Sequence, residues 1–353
     1  MTRVIPSTVS AIAVALLLGL LPAPVTAQLQ DQVYLHENPT RPTRGVIDEV
    51  TATIVKIRVN SVARDIAVNE IARITFADDP NELQQVRGMV RRKQYEAAKA
   101  ELDKLNSTQQ PNEWVRQDIQ FFNALLVAQL AITGKADKNE AGRLLAAFKA
   151  EQKNSFHYYE AVELFGDLAA SVGSFEAAAE SYREVGTAPW PDYKNRAAVL
   201  EAGALVGNGD HAAALPKYEQ VAAVKPTTEV MRQLQAQALA GKARCLGATG
   251  RVEAGILLAQ KIIKDNDPKT QRKVMAQAYN AQGACYLANE QPKDALISYL
   301  FTAELFYQDP NTHAEALYQL SKLWELEKKS ERANRARGLL RERYGDSVWA
   351  KKP

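Results

Sequence analysis

The sequence predicts a mainly α chain: an α-solenoid of antiparallel helical hairpins preceded by a small β domain. Three observations carry this expectation. From about residue 79 onward, apolar residues recur at helical spacing and are interrupted by short polar turns. After each turn a small residue stands in the second helix, namely Ala98, Ala178, Ala214, Gly255, Ala295 and Ala333, with a weaker candidate at Ala141. From Ala178 onward the spacings are 36, 41, 40 and 38 residues, and from Ala98 through Ala141 to Ala178 they are 43 and 37. A fixed period of this size marks stacked supersecondary units. Residues 31–77 instead alternate apolar with polar positions, the two-residue period of half-buried strands.

The N-terminus has the three parts of a secretory signal peptide over residues 1–27. Arg3 is followed by the apolar run Ala11 to Leu21, then by Pro22, Pro24 and the small-residue stretch before Gln28. An apolar run of 11 residues is too short for a bilayer, which needs roughly 20. Gln28 stands where a lipoprotein would need a cysteine, so the expected mature chain is exported, periplasmic or secreted, soluble and unlipidated. The formal charge of +3 falls to +2 without Arg3, which argues against nucleic acid as the partner. A hydrophobic content of 46% supplies enough core material to exclude disorder.

The next stretch, residues 28–78, is expected to form the β domain. Val55, Ile57 and Val59 alternate with Lys56, Arg58 and Asn60, and Ile74 and Phe76 alternate with Arg73 and Thr75. Shorter β-type runs occur at Gln32 to Leu35, Val46 to Val50 and Asp65 to Ala67. About five short strands resembling the SH3-like class, a small barrel or strongly bent sheet, would hide the edges of so small a sheet. Such a unit is marginal alone and should dock on the first helices.

Residues 79–353 should be helical. Asp79-Pro80-Asn81-Glu82 reads as a helix start with Asp79 as N-cap. Turns at Lys93-Gln94, Gly173-Ser174, Gly207 to Asp210, Gly250-Arg251, Asn289 to Gln291 and Lys328 to Ser330 divide the rest into about six to seven hairpins. Pro216 falls inside a second helix, where a kink is expected. The clearest hairpin is Ala276 to Pro310, in which Tyr279, Gly283, Tyr286 and Leu287 share one helical face and Ala295, Tyr299 and Thr302 share another. Gly283 and Ala295 are small because helices approach closely only where the facing side chains are short.

This set of small residue, aromatic, turn, alanine, aromatic and closing Asp-Pro resembles the tetratricopeptide repeat. Gly166, Gly173, Phe175, Ala178 and Tyr182 match the same pattern, as do Gly209, Ala214, Tyr218, Val221 and Pro226. Around Gly255 and Ala333 the aromatic partner is replaced by Ala259 or Arg337, and the Trp114 to Glu151 hairpin is degenerate. The closing stretch with Leu339, Leu340, Tyr344, Ser347 and Ala350 looks like the end of repeats in exported bacterial envelope proteins, although Gly345 stands where those have proline.

No catalytic, cofactor or metal constellation emerges. His36, His157, His211 and His313 are isolated in sequence and read as turn or surface residues. Gly207-Asn208-Gly209 follows a helix and lacks the lysine of a phosphate loop. Glu160, Glu163 and Asp167 stack on one helical face and read as a solvated face. Arg87, Arg91, Arg92 and Lys93 read as cations at a helix C-terminus, and Arg332, Arg335, Arg337, Arg341 and Arg343 as a solvated face of the last helix. Cys245 and Cys285 read as two buried thiols, because helix axes in adjacent hairpins lie ~10 Å apart, against the ~5.5 Å between Cα atoms that a bridge prefers.

The resemblance implies a non-enzymatic scaffold or adaptor whose first helices line a concave groove for a protein or peptide partner, with no cofactor. In the expected register Glu163, Asp167, Arg196, Arg244, Gln277, Asn280, Tyr318 and Lys322 face that groove. The Lys/Asn set by which some family members clamp a terminal carboxylate is not recognisable. Two alternatives stand beside this reading. One is a self-assembling structural component of the envelope. The other is an enzyme or small-ligand site between the β domain and the first hairpins, built from polar groups with shifted pKa values.

Overall fold

The computed structural model describes residues 1–2, 30–105 and 110–353; the bulk of the expected signal peptide lies outside the described residues. Five strands come first: β1 (Asp31–Leu35), β2 (Thr43–Val50), β3 (Ile54–Val59), β4 (Val62–Ala67) and β5 (Ile71–Thr75). They are antiparallel in the order β4-β3-β2-β1-β5. The first half of β2 pairs with β1 and the second half with β3, with a register shift between Ile47 and Glu49. The sheet therefore bends at β2, and Val33, Val55, Ile57, Ile74 and Phe76 are buried within the bend. Of the two expected forms, the bent sheet is the one found. β4 and β5 are its edges and do not pair, because the turn Val68–Glu70 carries the chain across the open side. One continuous core joins this sheet to the first helices, running from Val33 to Leu168.

Seven helical hairpins follow among the described residues: α1 (Asn81–Arg91) with α2 (Tyr95–Leu102), α3 (Glu113–Ile132) with α4 (Lys138–Glu151), α5 (Tyr158–Ser171) with α6 (Phe175–Val185), α7 (Pro191–Gly207) with α8 (His211–Ala222), α9 (Glu229–Ala248) with α10 (Val252–Asp265), α11 (Arg272–Ala288) with α12 (Pro292–Leu305), and α13 (Pro310–Leu326) with α14 (Ser330–Tyr344). Every turn within a hairpin uses one left-handed residue: Lys93, Gly134, Gly173, Gly209, Gly250, Glu290 and Lys328. In each, the next backbone N–H reaches back to the helix it has left, as in Gln94 to Met89, Arg251 to Leu246 and Lys329 to Trp324. That is the Schellman closure, which satisfies carbonyls the helix end leaves free. Six times the residue after the left-handed one is also the N-cap of the second helix.

The small residue sits four positions after that N-cap, and Ala98, Ala178, Ala214, Ala295 and Ala333 are no more than 1% exposed. The hairpin of α3 and α4 obeys the same rule, with Ala141 four positions after its N-cap Asp137. Its turn is longer, and the added residues make the sequence pattern look degenerate. The close approach is visible from the facing helix as well. A Cβ at Gly283 would lie 2.7 Å from the Tyr299 ring, and one at Gly166 2.7 Å from the Tyr182 ring. Gly255 meets Cys285 instead, which explains why no aromatic is needed there: a Cβ on Gly255 would lie 2.7 Å from Cys285 Sγ. Both cysteines are free and buried, and burial pushes each thiol up to about 11.

Two local expectations are corrected. Asp79 is not the N-cap of α1, which is Pro80; its carboxylate turns back to accept from the Phe76 N–H and grips Arg87. Arg87 is not a cation at the end of a helix. It is 5% exposed and held between Asp79 and Asp118. At Pro216, where a kink is expected, α8 continues without interruption and Pro216 stands on the solvent side. The carbonyl of Ala212, deprived of its helical partner, is then reachable by water.

Two glycines separate strain from packing. Gly250 has φ +85° and nothing within 4 Å of a built Cβ, so Gly250→Ala should destabilise by about 1 kcal/mol through backbone strain alone. Gly283→Ala should destabilise by ~1–3 kcal/mol through overpacking. Denaturant titration of both variants measures the two, and an unperturbed Gly283→Ala would refute the helix contact.

Candidate functional site

The inner face of the stack is built by the first helix of each hairpin. α3 packs on α5, α7 on α9, α9 on α11 and α11 on α13, while α8, α10 and α12 make no contact of that extent with one another. The stack therefore curves with its first helices inside, which is the side the expected groove residues occupy.

On α5, Glu163 pairs with Arg196 of α7 at 2.5 Å, and Asp167 accepts a 2.7 Å hydrogen bond from the Tyr182 hydroxyl of α6. These two carboxylates are not a solvated face. Burial raises Asp167, and it pushes Glu163 up to about 7 with Arg196 opposing it. The two partners respond unequally, because Arg196 is raised by the same pair. The Glu163 side chain is 13% exposed and that of Arg196 50%, so burial prevails at Glu163, while at Arg196 the carboxylates of Glu163 and Asp167 outweigh it. Lys273 of α11 and Asp309 at the start of α13 lie 3.8 Å apart, and both also act on Asp167.

Further along, Arg244 of α9 pairs with Glu315 of α13 at 2.5 Å. Asn280 of α11 lies between them in sequence and donates to Glu315 Oε2 at 3.1 Å and to the Thr312 carbonyl at 2.9 Å. Asn280 is 1% exposed, so it ties α11 to α13 more than it offers itself to solvent. Gln277 is half-buried one turn earlier on α11. Tyr318 lies one turn beyond Glu315, its hydroxyl bonded to the Pro353 carbonyl, and exposed Lys322 lies 5.7 Å from its ring centroid. The eight expected residues thus fall on α5, α7, α9, α11 and α13. The structure joins Glu163 to Arg196 and Arg244 to Asn280 through Glu315, and it leaves Gln277 and Lys322 outside both pairings.

Sequence reasoning missed Glu315 and Asn311, although both share the α13 face of Tyr318 at helical spacing. It also missed the tethering of His313, which is buried, bonded to Tyr344 at 2.7 Å and pushed down to about 4 by burial and by Arg343.

His157 is likewise buried, not superficial. Its ring stacks on Phe121 with centroids 3.8 Å apart, and its nitrogens face Asp118 at 3.2 Å and Glu160 at 3.1 Å. Polar groups thus do converge near the β domain. Asp79, Arg87, Asp118 and His157 are spent on one another inside the core, and of these Asp118 is 1% exposed.

The sign of the Glu163 shift gives a pH dependence. Its carboxyl holds a proton more tightly folded than unfolded, so its contribution to stability is full below about pH 4.5 and is lost as the pH rises through about 7. Glu163→Gln should flatten that part of the stability–pH profile and be at least as stable as the parent above pH 7. Denaturant titrations across the interval check this, and an unchanged slope would mean that Glu163 ionises normally.

No protein-family model and no curated protein sequence matches the chain. Among solved structures, a tetratricopeptide repeat protein from Parabacteroides merdae superimposes with a TM-score of 0.54 at 13% identity, over 76% of this chain and 96% of that one. A Rap protein complexed with competence and sporulation factor superimposes with a TM-score of 0.54 at 13% identity, over 76% of each chain. At that identity the likeness is one of architecture: the pairwise-packed helices of this chain have the tetratricopeptide-repeat fold, preceded by a five-stranded antiparallel open sheet.

Proposed function

We propose that the chain is a non-enzymatic exported scaffold or adaptor that binds a protein partner along the inner face of its helical stack. The observation that carries this reading is the lane of polar and aromatic side chains contributed by α5, α7, α9, α11 and α13, from Glu163 to Lys322. Five helices supplying one face suits an extended ligand held by many modest contacts. Charges on the lane are largely paired, which favours a ligand recognised by shape and hydrogen bonding over one drawn by net charge. The Rap protein of the same fold is complexed with a factor, which supports the reading by analogy of architecture. Export rests on the leader-like composition of residues 1–27, and no helix among the described residues is long and apolar enough to cross a membrane.

A double variant, Lys322→Glu with Gln277→Ala, alters the lane at an exposed and a half-buried position without touching its ion pairs. Affinity purification of tagged chains from the native host should recover a mature protein beginning at Gln28. At least one partner should be depleted in the variant at unchanged melting temperature. Equal recovery of every partner would count against the lane, and a retained Met1 against export.

Self-association is favoured by one separate observation. Ile297, Phe301 and Leu305 stand exposed at four-residue intervals on α12, a stripe able to cover its counterpart. If that reading holds, the mass in solution rises with concentration and Ile297→Asp abolishes the rise; a strict monomer removes it.

A further inference from the structure

The last nine residues do not trail into solvent. Beyond α14 the chain turns back across the inner face of α13. Trp349 donates from Nε1 to Asn311 Oδ1 at 3.0 Å, and the Pro353 carbonyl accepts from the Tyr318 hydroxyl at 3.1 Å. The Trp349 and Tyr318 ring centroids are 5.8 Å apart, and Lys352 Nζ lies 4.0 Å from the first and 5.9 Å from the second. Asn311, Glu315, Tyr318 and Lys322 follow one another on a single face of α13, so the segment lies on the same lane that is proposed above to bind a partner.

The segment is seated but weakly held. Ser347 to Ala350 are only half-buried and Lys351 to Pro353 are exposed. Lys352 has no ion pair within 4.0 Å among the described residues. Two hydrogen bonds to α13 and one half-buried indole form a contact that a competing segment of the same chemistry can displace. At its other end Lys138 Nζ donates to the Asp346 carbonyl at 3.3 Å, and Val348 lies against Gly173, so the segment also reaches the second and third hairpins.

We propose that the α13 face is a peptide-binding site for segments carrying an aromatic residue three positions before a lysine or arginine, and that residues 346–353 are its built-in competitor. The chemistry is complementary on each count. Asn311 offers an acceptor for an indole N–H, and Tyr318 offers a ring for the aromatic and the cation together. A partner with this pattern competes with a tethered segment at high effective concentration, so its apparent affinity is reduced by the fraction of time the site is self-occupied. This deepens the scaffold reading by naming the partner's chemistry.

The test uses a labelled heptapeptide with the sequence of residues 347–353, its binding followed by fluorescence anisotropy. Mature chain carrying Trp349→Ala and Lys352→Ala should bind it about tenfold more tightly than the parent, the gain expected if the tail occupies the site about nine-tenths of the time. A peptide with alanine in place of its tryptophan should lose that binding, and adding Tyr318→Ala to the double variant should do the same. Because Trp349 also packs on the core, Lys352→Ala alone serves as the second variant; it alters only an exposed residue and should give a smaller gain in the same direction. No binding to either variant, or binding indifferent to Tyr318→Ala, overturns the proposal. Failure here with a partner still lost from the Lys322→Glu, Gln277→Ala chain would leave the scaffold reading standing; the opposite pattern would leave only the peptide site.

Discussion

The structure depends on one steric constraint. Four residues past each second-helix N-cap the paired helices meet where one side contributes nothing beyond a Cβ. The helical turns closed by Lys93, Gly134, Gly173, Gly209, Gly250, Glu290 and Lys328 deliver the chain to that contact in one register. Four of these seven residues are glycine, which adopts the left-handed conformation without strain. At the other three, burial of the helix pair outweighs a backbone cost of about 1 kcal/mol. Once each hairpin has that shape, its apolar faces can be covered only by the next one, and stacking follows.

Curvature then determines what the inner face presents. First helices crowd together inside the curve, so side chains from adjacent hairpins, and from hairpins one further apart, come within ion-pair distance. Glu163 with Arg196 and Arg244 with Glu315 are products of this crowding. A pair so placed does little for net stability when its desolvation is counted, in keeping with burial raising Glu163. Its structural value is positional, since Asn280, Arg244 and Glu315 tie three successive first helices together. The same crowding brings the C-terminal segment onto α13.

At the other end of the chain the open sheet is stabilised by sharing its core with α1 to α5. The joint is the Asp79, Arg87, Asp118 and His157 cluster. His157 is raised by Asp118 and Glu160 against the opposing effect of burial, so its contribution to this joint is full below pH 6.5 and fades as the pH rises through its folded value. These groups resemble a site in composition, but they form a sealed joint because every charge faces an opposite one.

How much of this could be read from the sequence follows from the range of each interaction. Helix period, turn position and the small residue four places past the N-cap are local, and within a few residues of one another they announce the fold. Ala98 and Ala295 could be recognised because nothing but their neighbours decides where they sit. The strands could be placed from Val55, Ile57 and Ile74, yet whether their sheet would close could not, since that turns on whether β4 meets β5. The sequence pattern places Arg87 at a helix end and His157, Glu163 and His313 on the surface, because Asp118, Phe121, Arg196 and Tyr344, which meet them, come from other helices and share no short window with them. Sequence alone therefore determined the repeating helical unit, its number to within one, and which helix of each pair lies on the inner face. Tertiary structure decided which of those side chains are already paired and what lies on α13, because curvature sets distances between residues that are far apart along the chain.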